Sequence, residues 1–226
     1  MLIGILQTGL APDMLAPVMG DYPDMFARLL EGYGFSFRTW RVVEGDFPTL
    51  VRDAEGWLIT GSRHGVYEDH TWIPPLETFI RAAYDAHVPL VGICFGHQIV
   101  AQAMGGKVER YAGGWAVGAQ DYDFDGETLT LNAWHRDQVV GKPANATVVA
   151  TSDFCTNAAL LYDNRAFTVQ AHPEFRPEFV DGLMQTRGKG LVPDEVMANA
   201  AARLSDPLQD KTIAARIAAF FKEPRG

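Results

Sequence analysis

Four near-continuous apolar runs alternate with amphipathic stretches over the first hundred residues. The runs at 2–8, 35–43, 56–60 and 89–93 each read as a strand buried on both faces. Between them, 23–32 carries Met25, Phe26, Leu29 and Leu30 on one helical stripe and ends in glycines, whereas 11–22 reads as a loop. A second helix is expected over 73–86, with Pro74 and Pro75 in its first turn, where proline is tolerated. Strand–helix alternation of this kind predicts an α/β fold: a mostly parallel sheet covered by helices on both faces. The period then changes. Apolar and polar residues alternate over 107–131, broken by glycines at 113, 114, 118 and 126, which predicts antiparallel hairpins at one edge of the sheet. Short strands are expected at 147–151, 158–162 and 167–170. From Phe175 onward the pattern is helical, and Ile213, Ile217, Phe220 and Phe221 form a stripe that docks the last helix on the core.

Composition narrows the partners. The 226 residues, 47% hydrophobic and 21% charged, suit one domain spanning 1–226, with a C-terminal helical extension over about 187–226. Within it, the segment 187–207 would cover the pocket mouth, dock a partner or simply pack. A net charge of -9 without a basic stripe argues against nucleic acid and anionic membrane surfaces. The apolar start has no basic residue ahead of it and reads as a first strand instead of a signal peptide. No apolar run approaches the ~20 residues of a membrane span. With only Cys94 and Cys155, a disulfide framework is not the design, and a reducing cytoplasm is the expected compartment. Cys155, before Thr156-Asn157 in a predicted turn, reads as structural. No glycine-rich phosphate loop occurs, so no nucleotide cofactor is expected. His64, His70 and His97 are not spaced as a metal site and no carboxylate cluster joins them, so no metal is expected either. Arg63, His64, Tyr67 and Asp69 follow the third-strand turn and read as a solvated loop, with a place on the pocket rim as the alternative.

The chemistry concentrates in Val91-Gly92-Ile93-Cys94-Phe95-Gly96-His97-Gln98. An apolar strand ends at a cysteine flanked by glycines two residues to either side, and a helical pattern follows. That is how a chain builds a sharp strand-to-helix turn holding a nucleophile above a sheet. The helix N-terminus faces the side chain, and the thiolate is the reactive form of such a cysteine. A nucleophile of this kind needs a base and a group to orient it. His172-Pro173-Glu174, at the end of the strand 167–170, supplies both, with proline fixing the backbone between them. If the two strands are parallel neighbours, Cys94 and His172 meet at carboxyl ends, where open α/β sheets place their sites.

The segments Gly92-Ile93-Cys94-Phe95-Gly96-His97-Gln98 and His172-Pro173-Glu174 together resemble the class I (triad) glutamine amidotransferases, over most of the chain from Leu2 to about Phe175. Leu58-Ile59-Thr60-Gly61-Ser62 is similar to that family's glycine turn after the third strand. Trp134-His135-Arg136-Asp137-Gln138-Val139 resembles the Ser-His-x-Asp-x-Val segment of the amidotransferase domain of GMP synthase, departing from it at Trp134 and at the polar Arg136. The resemblance implies a flavodoxin-like three-layer fold with a small antiparallel edge element. It also implies catalytic Cys94, His172 and Glu174, an oxyanion hole from the backbone of Phe95 with Gly61 or Ser62, and substrate contacts from Gln98, His135 and Asp137. The implied reaction cleaves the γ-carboxamide of glutamine through a thioester, releasing glutamate and ammonia. Because the chain ends soon after the triad, the ammonia would pass to a separate synthetase subunit, or the protein would act alone as a γ-glutamyl peptidase or hydrolase on larger conjugates. A non-catalytic paralogue that binds a ligand or partner would carry a broken triad, and here all three positions are filled.

Overall fold

The computed structural model describes residues 1–225. Its strands are β1 (Leu2–Leu6), β2 (Ser36–Trp40), β3 (Gly56–Ile59), β4 (Leu90–Ile93), β5 (Lys107–Arg110), β6 (Ala116–Phe124), β7 (Glu127–His135), β8 (Asp137–Gly141), β9 (Thr147–Ala150), β10 (Ala159–Tyr162) and β11 (Ala166–Val169). Seven of them form one sheet in the order β2-β1-β3-β4-β11-β10-β9. The first five in that order run parallel, and β10 and β9 are antiparallel to their neighbours. The central strands β3, β4 and β11 are buried at every residue, which is why they read as unbroken apolar runs.

Helices cover both faces. Ile3, Ile5, Leu58, Val91 and Ile93 face α2 (Tyr22–Leu29) and α7 (Asp210–Lys222), meeting Phe26, Ile213, Ile217 and Phe221. Leu6, Trp57, Ile59 and Leu90 face α3 (Ile73–Asp85) and α4 (Phe95–Ala103), meeting Leu76, Ile80, Phe95 and Ile99. The predicted stripe of the last helix is therefore its docking face; a fully buried side chain such as Phe221 stabilises by roughly 2–3 kcal/mol. Among the described residues, no helix is long and apolar enough to cross a membrane.

Two local expectations change. The segment 11–22 contains a short helical turn, α1 (Ala16–Met19), before Tyr22 opens α2. The alternating stretch after α4 does not form hairpins at the sheet edge. β6 and β7 make a separate nine-residue ribbon closed at Asp125-Gly126, where both residues have positive φ, and β5 pairs with β8 in another two-stranded unit. β9 occupies the edge of the main sheet instead. The ribbon is tied to the sheet by two isolated bridges, Asp123 to Thr151 and Asn132 to His172. Alternation reports a half-buried strand but not its partner, and here the partner lies in the ribbon itself.

The C-terminal segment packs over the ribbon. α5 (Pro177–Leu183) continues into a π-helical turn (Met184–Gly188), followed by α6 (Asp194–Ala202), whose Ala200 lies against Gly118.

Candidate active site

The parallel register of β4 with β11 ends at the pair Ile93 and Val169, and the Cys94 N–H continues the ladder by donating to the Val169 carbonyl at 2.9 Å. Cys94 and the segment after β11 therefore start from adjacent points on one sheet edge. Cys94 itself adopts φ 53° and ψ -100°, a conformation costly for a residue with a Cβ, and serves as the N-cap of α4. The flanking glycines do not supply the turn's unusual dihedral. They allow close approach: a Cβ on Gly92 would stand 2.4 Å from the Gly96 carbonyl oxygen, and one on Gly96 2.3 Å from that of Ile59. The Phe95 N–H lies in the first turn of α4, where helices have no internal acceptor.

His172 is held on all sides. Its Nδ1 lies 2.7 Å from Glu174 Oε1, its backbone N–H donates to the Asn132 carbonyl at 2.8 Å, and its ring stacks on Phe175 at 3.9 Å and 5°. Gly61 meets the ring edge-on, since a Cβ there would come 2.8 Å from the imidazole Cε1 and 3.7 Å from each ring nitrogen. Asn132 clamps the loop a second time by donating its side-chain N–H to the Phe175 carbonyl at 2.9 Å. With Nδ1 committed to Glu174, Nε2 is left for Cys94, whose thiol hydrogen-bonds the ring. Burial works against a charged imidazole, but the Glu174 carboxylate and the sulfur of Cys94 outweigh it and hold His172 well above its ordinary value. Cys94, His172 and Glu174 are all buried, so the charges they develop are little screened.

Cys94 and His172 line a cleft of about 790 Å³, and Glu174 lies behind the imidazole. Its walls include Gln98, His135 and Asp137. The Gln98 amide donates to the Asp137 carbonyl at 2.8 Å and to Gln170 Oε1 at 3.1 Å, which locks its orientation. His135 is buried, with Nδ1 3.2 Å from the Asp137 carbonyl and Nε2 without a protein partner. Burial pushes it down to about 3, so it is neutral. The Asp137 carboxyl accepts from the Tyr67 hydroxyl at 2.9 Å and is raised by burial.

Sequence reasoning missed several residues. Arg63, His64 and Tyr67, expected on a solvated loop, line the cleft together with Glu68; Asp69 does not. His64 and His70 are joined by the Glu68 carboxylate, contrary to the expectation that no acidic group meets them, while His97 is buried elsewhere with Nδ1 2.8 Å from Thr168 Oγ1. Tyr22, Arg110 and Arg187 also reach the cleft, and Arg187 hydrogen-bonds the Leu10 carbonyl at 2.8 Å. Leu183, Arg187 and Leu191 come from the C-terminal segment, which therefore walls the cleft as well as packing. Trp134, one of the departures from the family segment, stands between that segment and the cleft. Asn132, Arg110 and Arg187 carried no local signal, because their roles arise from contacts distant in sequence. Cys155 is a buried thiol pushed up to about 12 by burial, as a structural role requires.

A family model described as glutamine amidotransferase class-I matches residues 28–184. The chain is 30% identical to gamma-glutamyl peptidase 4 of Arabidopsis thaliana, over 71% of this chain and 70% of the relative. It is 33% identical to a glutamine-hydrolyzing GMP synthase of Vibrio atlanticus, over 68% of this chain but only 31% of that protein. A glutamine amidotransferase structure from Methylobacillus flagellatus superposes with a TM-score of 0.76, covering 99% of this chain and 96% of that one at 22% identity.

Proposed function

The chain belongs to the class I glutamine amidotransferase family, and from that premise we propose that it hydrolyses a γ-glutamyl amide through a thioester on Cys94. Cys94 Sγ attacks the γ-carbonyl carbon while His172 Nε2 takes the thiol proton. The Glu174 carboxylate keeps the proton on Nδ1 and stabilises the imidazolium. The oxyanion is held by the Phe95 N–H and a second N–H from the Gly61 turn, each donor contributing ~3 kcal/mol to the barrier. The carbon–nitrogen bond then breaks, the departing amine takes the proton from His172, and the thioester remains. Water, deprotonated by His172, attacks the thioester; the carbon–sulfur bond breaks, the Cys94 sulfur takes the proton back from His172, and free glutamate leaves.

The carrying observation is that Cys94 and His172, the latter backed by Glu174, line a cleft far larger than one amino acid fills. Its ~790 Å³ lies in the upper part of the ~300–1,000 Å³ range that holds drug-sized ligands. Arg63, Arg110, Arg136 and Arg187 line it, and guanidinium groups suit the extra carboxylates of a γ-glutamyl peptide. We therefore favour a γ-glutamyl conjugate as substrate, with Asp137 or His135 and Gln98 at the glutamyl head. The likeness to GMP synthase favours a second reading, in which glutamine is the substrate and a separate synthetase subunit accepts the ammonia.

Glutamate release from γ-glutamyl dipeptides, from α-glutamyl dipeptides and from glutamine separates the readings. We expect kcat/KM at least tenfold higher for γ-glutamyl dipeptides than for glutamine, no turnover of the α-isomers, and no activity in Cys94→Ala. Turnover of glutamine alone supports the second reading, and full activity in Cys94→Ala refutes both.

A further inference from the structure

We propose that His64, Glu68 and His70 form a binding site for a divalent late transition metal, zinc foremost, on the wall of the cleft. The site is independent of the hydrolytic reading above. The three residues come from the loop between β3 and α3, in the spacing His64-x3-Glu68-x-His70. Backbone hydrogen bonds fold the loop tightly: Glu68 N–H donates to the Gly65 carbonyl at 3.1 Å and His70 N–H to the Glu68 carbonyl at 3.0 Å. His64 N–H donates to Ser62 Oγ at 3.2 Å.

The side chains converge on one point. His64 Nδ1 and His70 Nε2 lie 3.1 Å and 2.8 Å from the same carboxylate oxygen, Glu68 Oε2, and one ligand atom from each residue falls within 4.8 Å of the others. Around a tetrahedral zinc with nitrogen and oxygen ligands at ~2.0–2.2 Å, neighbouring ligand atoms are about 3.3 Å apart. The two nitrogen–oxygen separations, 3.1 Å and 2.8 Å, lie within about 0.5 Å of that value, and the two imidazole nitrogens, within 4.8 Å of one another, close to it by side-chain rotation. Two imidazole nitrogens and one carboxylate oxygen are the donor set zinc accepts in three-ligand sites, leaving a position for water. The side chains are 20%, 43% and 32% exposed, so an ion has a path from solvent.

The ion would brace the cleft. His70 stacks on Trp72 with ring centroids 5.8 Å apart at 14°, and Trp72 packs on Phe95 at 5.5 Å, the residue after Cys94. The same loop supplies Ser62, Arg63, His64, Gly65, Tyr67 and Glu68 to the wall. Holding His64 to His70 through Glu68 would fix that wall against the floor. The metal has no role here in bond cleavage.

The test uses the full chain carrying Cys94→Ala, which removes the thiol as a competing ligand, stripped with a chelator. Zinc content after desalting and the visible absorption of added cobalt are read in this protein and in its His64→Ala, His70→Ala and Glu68→Gln derivatives. We expect about one zinc per chain, a cobalt spectrum typical of four- or five-coordination, loss of both in either histidine variant, and at least tenfold weaker binding in Glu68→Gln. Circular dichroism checks each variant's fold, and His70→Gln replaces His70→Ala if the latter misfolds. Failure of the Cys94→Ala chain to bind zinc, or undiminished binding in the folded histidine variants, overturns the proposal. Because no activity is measured, neither result bears on the proposed reaction.

Discussion

Gly61→Ala isolates how much the reaction depends on the seat of His172. An added Cβ would lie 2.8 Å from the imidazole Cε1, about 0.7 Å inside the ~3.5 Å at which carbon atoms rest against each other. The ring cannot retreat easily. Phe175 stacks on one face at 3.9 Å and is itself backed by Phe179 at 4.6 Å and Tyr22 at 5.9 Å, while Glu174 holds Nδ1 at 2.7 Å along the edge that the Cβ would push. Relief must come from displacing the imidazole relative to Cys94 or from moving the Gly61 backbone, and each route damages catalysis. A misplacement near 1 Å costs roughly 10²-fold, and loss of one oxyanion donor ~3 kcal/mol, on the order of 10²-fold. We expect kcat/KM to fall by about 10²–10³-fold. The overpacking should reduce stability by only about 1–3 kcal/mol, leaving the variant folded at 25 °C. Initial rates of glutamate release from a γ-glutamyl dipeptide and from glutamine give the first quantity, and urea unfolding the second. If the folded variant retains activity within about threefold of the parent on its best substrate, the packing of Gly61 against His172 is not what positions the base.

Three further outcomes follow from the same geometry. Glu174→Gln keeps an oxygen acceptor for Nδ1 but removes the charge that stabilises the imidazolium; kcat is expected to fall by about 10²–10⁴-fold, against little change in melting temperature. Gly96→Ala sets a Cβ 2.3 Å from the Ile59 carbonyl oxygen and must push α4 off β3, so urea titration should show a loss of about 1–3 kcal/mol. Burial lowers His97 to about 3 in the folded chain, against ~6.5 when unfolded, so the unfolded state binds the extra proton between those values. Its contribution to stability is complete above pH 6.5 and is lost as pH falls toward 3. His97→Gln should accordingly be less stable than the parent at pH 8, with a gap that narrows by about 1 kcal/mol per pH unit below 6.5; parallel stability curves would refute the assignment.

Much of this molecule is set by local sequence. Strands buried on both faces have no polar side to show, so β1, β3, β4 and β11 are legible as apolar runs, and a cysteine that must stand at a sharp turn leaves its mark in Gly92 and Gly96. His172-Pro173-Glu174 is legible for the same reason: the pair is only two residues apart and its relation is fixed by the backbone between them. What the sequence left open depends on which surfaces meet. Alternation over 107–131 identified strands but not that they form a ribbon bridged at Asn132 to His172, because an antiparallel pair and a sheet edge share one period. The loop 63–70 is polar enough to suit solvent, and only packing turns it toward the cleft and brings Glu68 between His64 and His70. Arg187 lies beyond every recognisable motif, yet the C-terminal segment folds back over the ribbon and sets it on the wall beside Tyr22. The sequence by itself determined that Cys94 stands at a sharp turn and that His172 is followed by Glu174, because both arrangements rest on short-range backbone geometry. The size, charge and walls of the cleft were decided only when segments distant along the chain packed together, and the preference for a γ-glutamyl conjugate proposed above rests on them.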